Sequence, residues 1–299
     1  MSKSRKAELI LISVTLLWSA TFLFMKNAFL GCDPITFVEI RFAIAFVLAL
    51  TFWYKSLKTL NPTSVKDGLI LGLTYSVGFY LQSWGLDHTT ISKSAFITGT
   101  VVVFVPFAHW LIHRERIKLM HIVSVIVTMI GLWVFTEPER GELTVGDITT
   151  LCSSMIWAYY VAYLDWASNK TEQTNGYFHQ LVILQFAVTI LVGGMVQVVW
   201  FSGGMYTPHL TLSEDVIIGL LYSGIAASLV ATYLQTTYQR FVTPVKAGLL
   251  FVLEPVFAAL LAWMFKNEML SLRELCGGVI MLSAIFITDI VVLVKTKTS

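Results

Sequence analysis

Apolar residues run through this chain in long unbroken stretches, not in the strict alternation of a half-buried strand. Ten such stretches stand out, at 8–27, 35–54, 67–86, 94–113, 119–136, 146–165, 178–201, 214–236, 246–265 and 273–294. Each approaches the roughly 20 residues a helix needs to cross a bilayer. Most connections are short. The longer ones hold turn formers: Asn61-Pro62, the stretch from Glu137 to Gly146, and Gly203-Gly204 with Pro208. Backbone amides in lipid must be satisfied within the segment, and helices do so. The pattern predicts an all-α integral membrane fold of ten transmembrane helices, with no soluble domain and no flexible linker.

Charge refines this picture. Only 13% of the 299 residues are charged and 56% are hydrophobic, about half the charge of a soluble domain. With the N-terminus in the cytoplasm, the inside segments hold 14 Lys and Arg and the outside segments 5, Arg41 lying within the second span. That bias predicts a multi-pass protein of the cell membrane with both termini cytoplasmic. The basic N-terminus before an apolar run resembles a signal peptide. No small-residue cleavage site follows, so it reads as a retained first helix. A net charge of +2 gives no footprint for nucleic acid. Cys32, Cys152 and Cys276 are far apart and odd in number, so they are expected to be small packing residues.

The chain also repeats itself. Shifted by 153 residues, Tyr80-Leu81-Gln82 falls on Tyr233-Leu234-Gln235, Thr90 on Thr243, Lys93 on Lys246, and Trp110 on Trp263. Ten of the 52 positions from Tyr80 to Gly131 are identical in this register. Earlier pairs need smaller shifts: Leu17-Trp18 resembles Ile156-Trp157 at 139, and Arg41-Phe42-Ala43 resembles Gln185-Phe186-Ala187 at 144. Residues 1–138 and 139–299 therefore read as two copies of one five-helix unit. Five is odd, so the copies face opposite ways in the membrane. Inverted repeats are typical of secondary transporters; a duplication kept only for packing is the plainer alternative.

Two stretches carry a family resemblance. SAFITGTVVVFVPFAHWLIHRERIKLMHIVSVIVTMIGLWVF and TPVKAGLLFVLEPVFAALLAWMFKNEMLSLRELCGGVIML resemble helices 4–5 and 9–10 of the EamA-type drug/metabolite transporter superfamily. Leu253-Glu254-Pro255, Glu115, Glu268 and Arg41-Phe42 fit its pattern. The resemblance implies two inverted repeats around a central cavity open to one side at a time. It also implies export of small metabolites, amino acids (aromatic ones included) foremost, with proton-coupled efflux of organic cations or drugs as the alternative. One departure is that Pro106 aligns with Ala259 while Pro255 aligns with Val102, so the halves are expected to break one turn apart.

Several residues could carry the work. Glu254 stands near the middle of the ninth span, where a charge costs at least about 2.5–3.5 kcal/mol without a partner. It could carry a proton or meet a substrate amine; alternatively it satisfies amides opened by Pro255. Trp18 and Trp157 are repeat mates near midspan that could stack on a flat or cationic substrate or simply pack. Trp53 and Trp200 read as interfacial belt residues. Tyr75, Phe79 and Gln82 share one helix face, and their mates are Ser228, Thr232 and Gln235. They form either a cavity wall or the polar glue of packed helices. His109 could shuttle a proton or be hydrogen-bonded structure. Arg41, two residues from Glu39, is expected to serve structure or gating near the outer end. Gly68, Gly72, Gly277 and Gly278 read as close-packing positions.

The chain has no GxxxxGK[ST], HExxH or GxSxG sequence. ATP coupling, a partner ATP-binding subunit and enzymatic chemistry are therefore not expected, nor is any cofactor or metal. No ring-forming filter motif points to a channel. The expected partners are a small-molecule substrate and the lipid bilayer, with monomer and homodimer both open.

Overall fold

A computed structural model describes residues 2–138, 142–170, 176–202, 207–266 and 269–296. Helix occupies each of the ten apolar stretches. These are α1 (Lys3–Ala28), α2 (Pro34–Trp53), α3 (Pro62–Asp87), α4 (Ile91–Gly99), α5 (Val101–His113), α6 (Leu119–Thr136), α7 (Val145–Asn169), α8 (Tyr177–Ser202), α9 (Glu214–Tyr222), α10 (Ala231–Tyr238), α11 (Pro244–Phe251), α12 (Glu254–Lys266) and α13 (Leu272–Thr296). Their starts are written locally: Asp33, Thr90, Ser213 and Thr243 each accept a hydrogen bond from a first-turn amide. Asn61 and Thr144 close full capping boxes.

Among the described residues, six helical stretches are long and apolar enough to cross a membrane: Pro34–Thr59, Lys93–His113, Leu119–Thr136, Tyr177–Val199, Glu214–Phe241 and Pro244–Phe265. Helices α3 and α7 are less apolar, and α1, α3 and α7 all bury polar groups against other helices. Ser19, Asp67, Thr150 and Ser153 are all closed to solvent there. The outer surface is apolar. Ile122, Ile126, Ile130 and Trp133 form an exposed stripe along α6, which suits lipid and not water.

Three of the long stretches are interrupted. Helix α4 gives way to α5 at Thr100, and α11 to α12 at Val252-Leu253. Between α9 and α10 the chain widens into a π-helical segment, Ser223–Val230. Val101 and Glu254, the first residues of α5 and α12, stand 153 apart, as do their last residues, His113 and Lys266. The expectation of breaks one turn apart is thus corrected. Pro106 sits inside α5, and Pro255 is the second residue of α12, where a helix needs no amide donor. The prolines do not set the breaks.

Carbonyls near the breaks accept a further hydrogen bond from another helix. Thr15 of α1 donates to the Leu250 carbonyl at 3.4 Å, and Ser154 of α7 donates to the Ile97 carbonyl at 2.8 Å. The donors are 139 residues apart and the acceptors 153, the shifts of the sequence repeat. Packing follows the same exchange: α1 lies against α9–α12, and α7 lies against α3, α4 and α5.

Close backbone approach fixes the remaining pairs. A Cβ on Gly131 would meet the Gly277 carbonyl oxygen at 3.0 Å, and one on Gly277 would meet the Phe135 nitrogen at 2.6 Å. Gly68 and Gly72 leave similar room for Leu184 and Val188 of α8. The packing role read for these glycines is what the structure contains. Among the cysteines only Cys32 is buried; Cys152 and Cys276 are exposed, so the packing expectation fails for those two.

Candidate functional site

The centre of the bundle holds an aromatic cluster with a cation in it. Phe42 of α2, Tyr75 and Phe79 of α3, Trp157 and Tyr160 of α7, and Phe186 of α8 form a continuous set of tilted and edge-to-face contacts. Phe79 meets Trp157 at 4.8 Å and Phe42 at 5.0 Å between centroids; Tyr75 meets Trp157 at 5.4 Å and Tyr160 at 5.5 Å. Arg41 lies 4% exposed, its guanidinium 5.0 Å from the Phe42 ring centroid and 5.3 Å from that of Phe79. Its Nε donates to Ser228 Oγ of the π-helical segment at 3.0 Å. One turn away, Tyr75 Oη and Thr232 Oγ1 share a hydrogen bond of 2.8 Å.

Glu254 opens α12, so its carboxylate projects from a helix start in mid-bundle. Its main-chain carbonyl accepts from Ser19 Oγ at 2.8 Å. The side chain is partly exposed. It and Arg41 attract one another, yet no direct ion pair joins them among the described residues. Two opposite fixed charges beside an aromatic wall can hold a molecule that carries both signs.

The predicted residues divide accordingly. Arg41, Tyr75, Phe79, Trp157, Ser228 and Thr232 come together, with Glu254 within electrostatic reach. Arg41 is a member of this central cluster, not an element of the outer end, because Ser228 and two rings give it partners there. Trp18 has partners of its own: its Nε1 donates to the Ala227 carbonyl at 3.1 Å, and its ring packs on Phe251 at 5.2 Å. The two repeat-mate tryptophans therefore do not face each other. Gln82 bonds Thr98 at 3.4 Å and Gln235 bonds Gln239 at 3.0 Å, each within its own half. Trp53 ends α2. It stacks on His179 at 4.9 Å and lies tilted against Tyr233 at 4.8 Å; the Trp200 side chain lies outside those described.

His109 belongs to a second location, at the end of the bundle where α1 begins. A cavity of about 390 Å³ opens there, lined among others by His109, His113, Glu115, Asp165 and Arg240. His109 Nε2 stands 3.5 Å from Glu115, and His113 Nε2 stands 3.3 Å from Asp165.

Charge pairs that sequence reasoning missed close both ends. At this N-terminal face, Lys246 Nζ meets Glu8 at 2.9 Å. At the far face, where α4 and α7 begin, Lys93 Nζ meets Asp147 at 3.4 Å. Lys93 and Lys246 are mates at 153; Glu8 and Asp147 are mates at 139, the shift already visible in Trp18 and Trp157, so the signal was there. Asp67 was also missed. Fully buried, it accepts from Lys170 at 2.8 Å, Tyr163 at 2.9 Å and Tyr177 at 2.7 Å. Nothing in its neighbours along the chain marks it.

Known proteins match throughout. The model of the EamA-like transporter family matches residues 5–136 and again 144–289. An uncharacterized transporter of Archaeoglobus fulgidus is 28% identical over 284 residues, covering 95% of this chain and 86% of the relative. The uncharacterized transporter YoaV of Bacillus subtilis is 20% identical over 284 residues, covering 94% and 96%. A solved crystal structure superposes with a TM-score of 0.78 at 14% identity, covering 96% of this chain and 97% of its own, which shows the shared fold. With two copies of the family unit spanning nearly all of its length, the chain belongs to the EamA-like transporter family and is a multi-pass membrane transporter.

Proposed function

We propose that this protein is a secondary transporter that exports small zwitterionic metabolites, aromatic amino acids foremost, by alternating access. In this reading ten helices cross the membrane as two inverted five-helix units, divided between residues 138 and 139, with both termini in the cytoplasm. The matched helix breaks, exchanged hydrogen bonds and doubled family match all favour such a pair. Export rather than import follows from the resemblance to exporters.

The observation that carries the substrate class is Arg41 and Glu254, opposite in charge, beside the Phe79–Trp157 wall. A substrate carboxylate would meet Arg41, its ammonium Glu254, and its ring the exposed edges of the aromatic cluster. Arg41 disfavours the simple organic cation that Glu254 alone would suit, since a buried like charge repels it. Glu254 also offers a place for a coupling proton.

The test is counterflow of labelled phenylalanine and tryptophan in proteoliposomes, beside organic cations, with and without a pH gradient. Amino-acid exchange is expected, with Arg41→Gln weakening it by at least about tenfold, the cost of one charge-assisted bond. Glu254→Gln is expected to abolish the pH dependence. Cation transport without amino-acid exchange would overturn the substrate assignment.

A further inference from the structure

The cavity at the N-terminal face contains donors that the transport reading leaves unused. His109 and His113 stand one helical turn apart on α5, their ring centroids 4.2 Å from one another. Asp165 of α7 faces them across the helix interface. One ligand atom from each of the three lies within 4.8 Å of the other two. The His113 Nε2 to Asp165 Oδ2 distance is 3.3 Å, already close to the edge of about 3.4 Å for a tetrahedron with Zn–ligand bonds near 2.0–2.1 Å.

The surroundings support the donors. Asn169 Nδ2 donates to Asp165 Oδ1 at 3.1 Å, which turns the other carboxylate oxygen toward His113 and fixes it as outer-shell partners do. His109 Nδ1 is buried without a hydrogen-bond partner among the described residues. Glu115, 67% exposed and 3.5 Å from the His109 ring, is free to swing inward as a fourth ligand. The cations that line the same cavity do not oppose this. Arg116 and Lys118 are exposed and screened by solvent, and the Arg240 guanidinium is spread over the rings of Phe178 and Phe241 at 4.7 Å.

We infer that His109, His113 and Asp165 form a binding site for a divalent transition-metal ion of the Zn²⁺ type. Two imidazoles and a carboxylate suit Zn²⁺, Co²⁺ and Ni²⁺, while Mg²⁺ and Ca²⁺ demand oxygen ligands. Bound metal ties α5 in the first family unit to α7 in the second. It thereby restrains any motion that parts them.

The test uses the full chain purified in detergent, stripped of metal and titrated with Zn²⁺ alone by calorimetry. Co²⁺ absorption then reports the geometry. One saturable site per chain is expected, with a tetrahedral Co²⁺ spectrum and a rise in melting temperature. His113→Gln and Asp165→Asn each should weaken binding by at least about tenfold, as even outer-shell changes do. Both variants are first checked for unchanged melting in metal-free buffer; Glu115→Gln serves as a milder probe should either fail to fold. Absence of saturable binding, or equal binding by His113→Gln and Asp165→Asn, means an adventitious surface ion only and overturns the site. Neither outcome depends on which substrate is transported.

Discussion

Replacing Lys93 with glutamine should open the far face of the bundle while leaving the N-terminal face closed. Lys93 Nζ stands 3.4 Å from Asp147, with side-chain exposures of 14% and 2%, so solvent screens the pair little. Coulomb attraction at that distance is about 5 kcal/mol at an effective dielectric constant near 20. Removing one member of such a buried pair costs about 3–5 kcal/mol. If the pair exists only when that face is shut, a loss of about 3 kcal/mol moves the closed-to-open ratio by roughly a hundredfold, tenfold for each 1.4 kcal/mol. Lysine is the residue to change. Asp147 also caps α7 through the Thr144 amide at 2.9 Å and accepts from Thr89, so its removal would confound gating with helix stability.

The mirror change is Lys246→Gln, which frees Glu8 at the N-terminal face. The assay is maleimide labelling of Thr98→Cys, applied from the far face after Cys152 and Cys276 are replaced by serine. Thr98 lies on α4 behind the Lys93 pair, bonded to Gln82. Lys93→Gln should speed labelling and Lys246→Gln should slow it, while Lys93→Arg, which keeps the charge, retains the native rate. The opposite signs are the diagnostic, because both substitutions destabilise. Equal acceleration by both would refute a latch at each face and leave only general loosening.

Two further outcomes follow from packing. Gly277→Val places carbon within 2.6 Å of the Phe135 backbone, so α6 and α13 must separate; a loss of about 2–3 kcal/mol is expected from overpacking, read as a lower melting temperature without a change in substrate preference. Asp67→Asn strips the charge from an acceptor of three hydrogen bonds. It should cost about 3 kcal/mol, read by unfolding in denaturant, and Lys170→Met in the same background should restore part of it.

The reach of the sequence is set by distance along the chain. Helix runs and caps are local properties, and hydropathy with Asn61, Thr90, Thr144 and Thr243 marks them well. The repeat is legible too, since shared ancestry leaves identities in register. The breaks at Thr100 and Leu253 are not, because they do not fall on the prolines and their carbonyls take an added hydrogen bond from α7 and α1, far off along the chain. Partnerships across the halves are equally hidden. Arg41 finds Ser228 at a separation of 187 residues, and Asp67 finds Tyr177 at 110. Arg41 was readable as costly in a bilayer, but not the cluster that receives it. The Gln82–Gln235 pairing shows the converse: identity in register leaves each side chain bonded within its own half.

What repeats and what does not separates motion from recognition. The charge pair, the helix break and the serine or threonine bond to the broken helix each occur twice, at positions related by the repeat. The proposed inverted arrangement calls for this, since a device that closes one face would have a mate that closes the other. The central charges occur once. The mate of Arg41 is Gln185, which accepts from Tyr160 at 2.8 Å, and the mate of Glu254 at a shift of 153 is Val101. A buried charge without a symmetric counterpart adds nothing to exchange between faces and costs stability in a bilayer. Under the proposed function a cargo with charges of its own accounts for it, and specificity would then reside where the two halves differ.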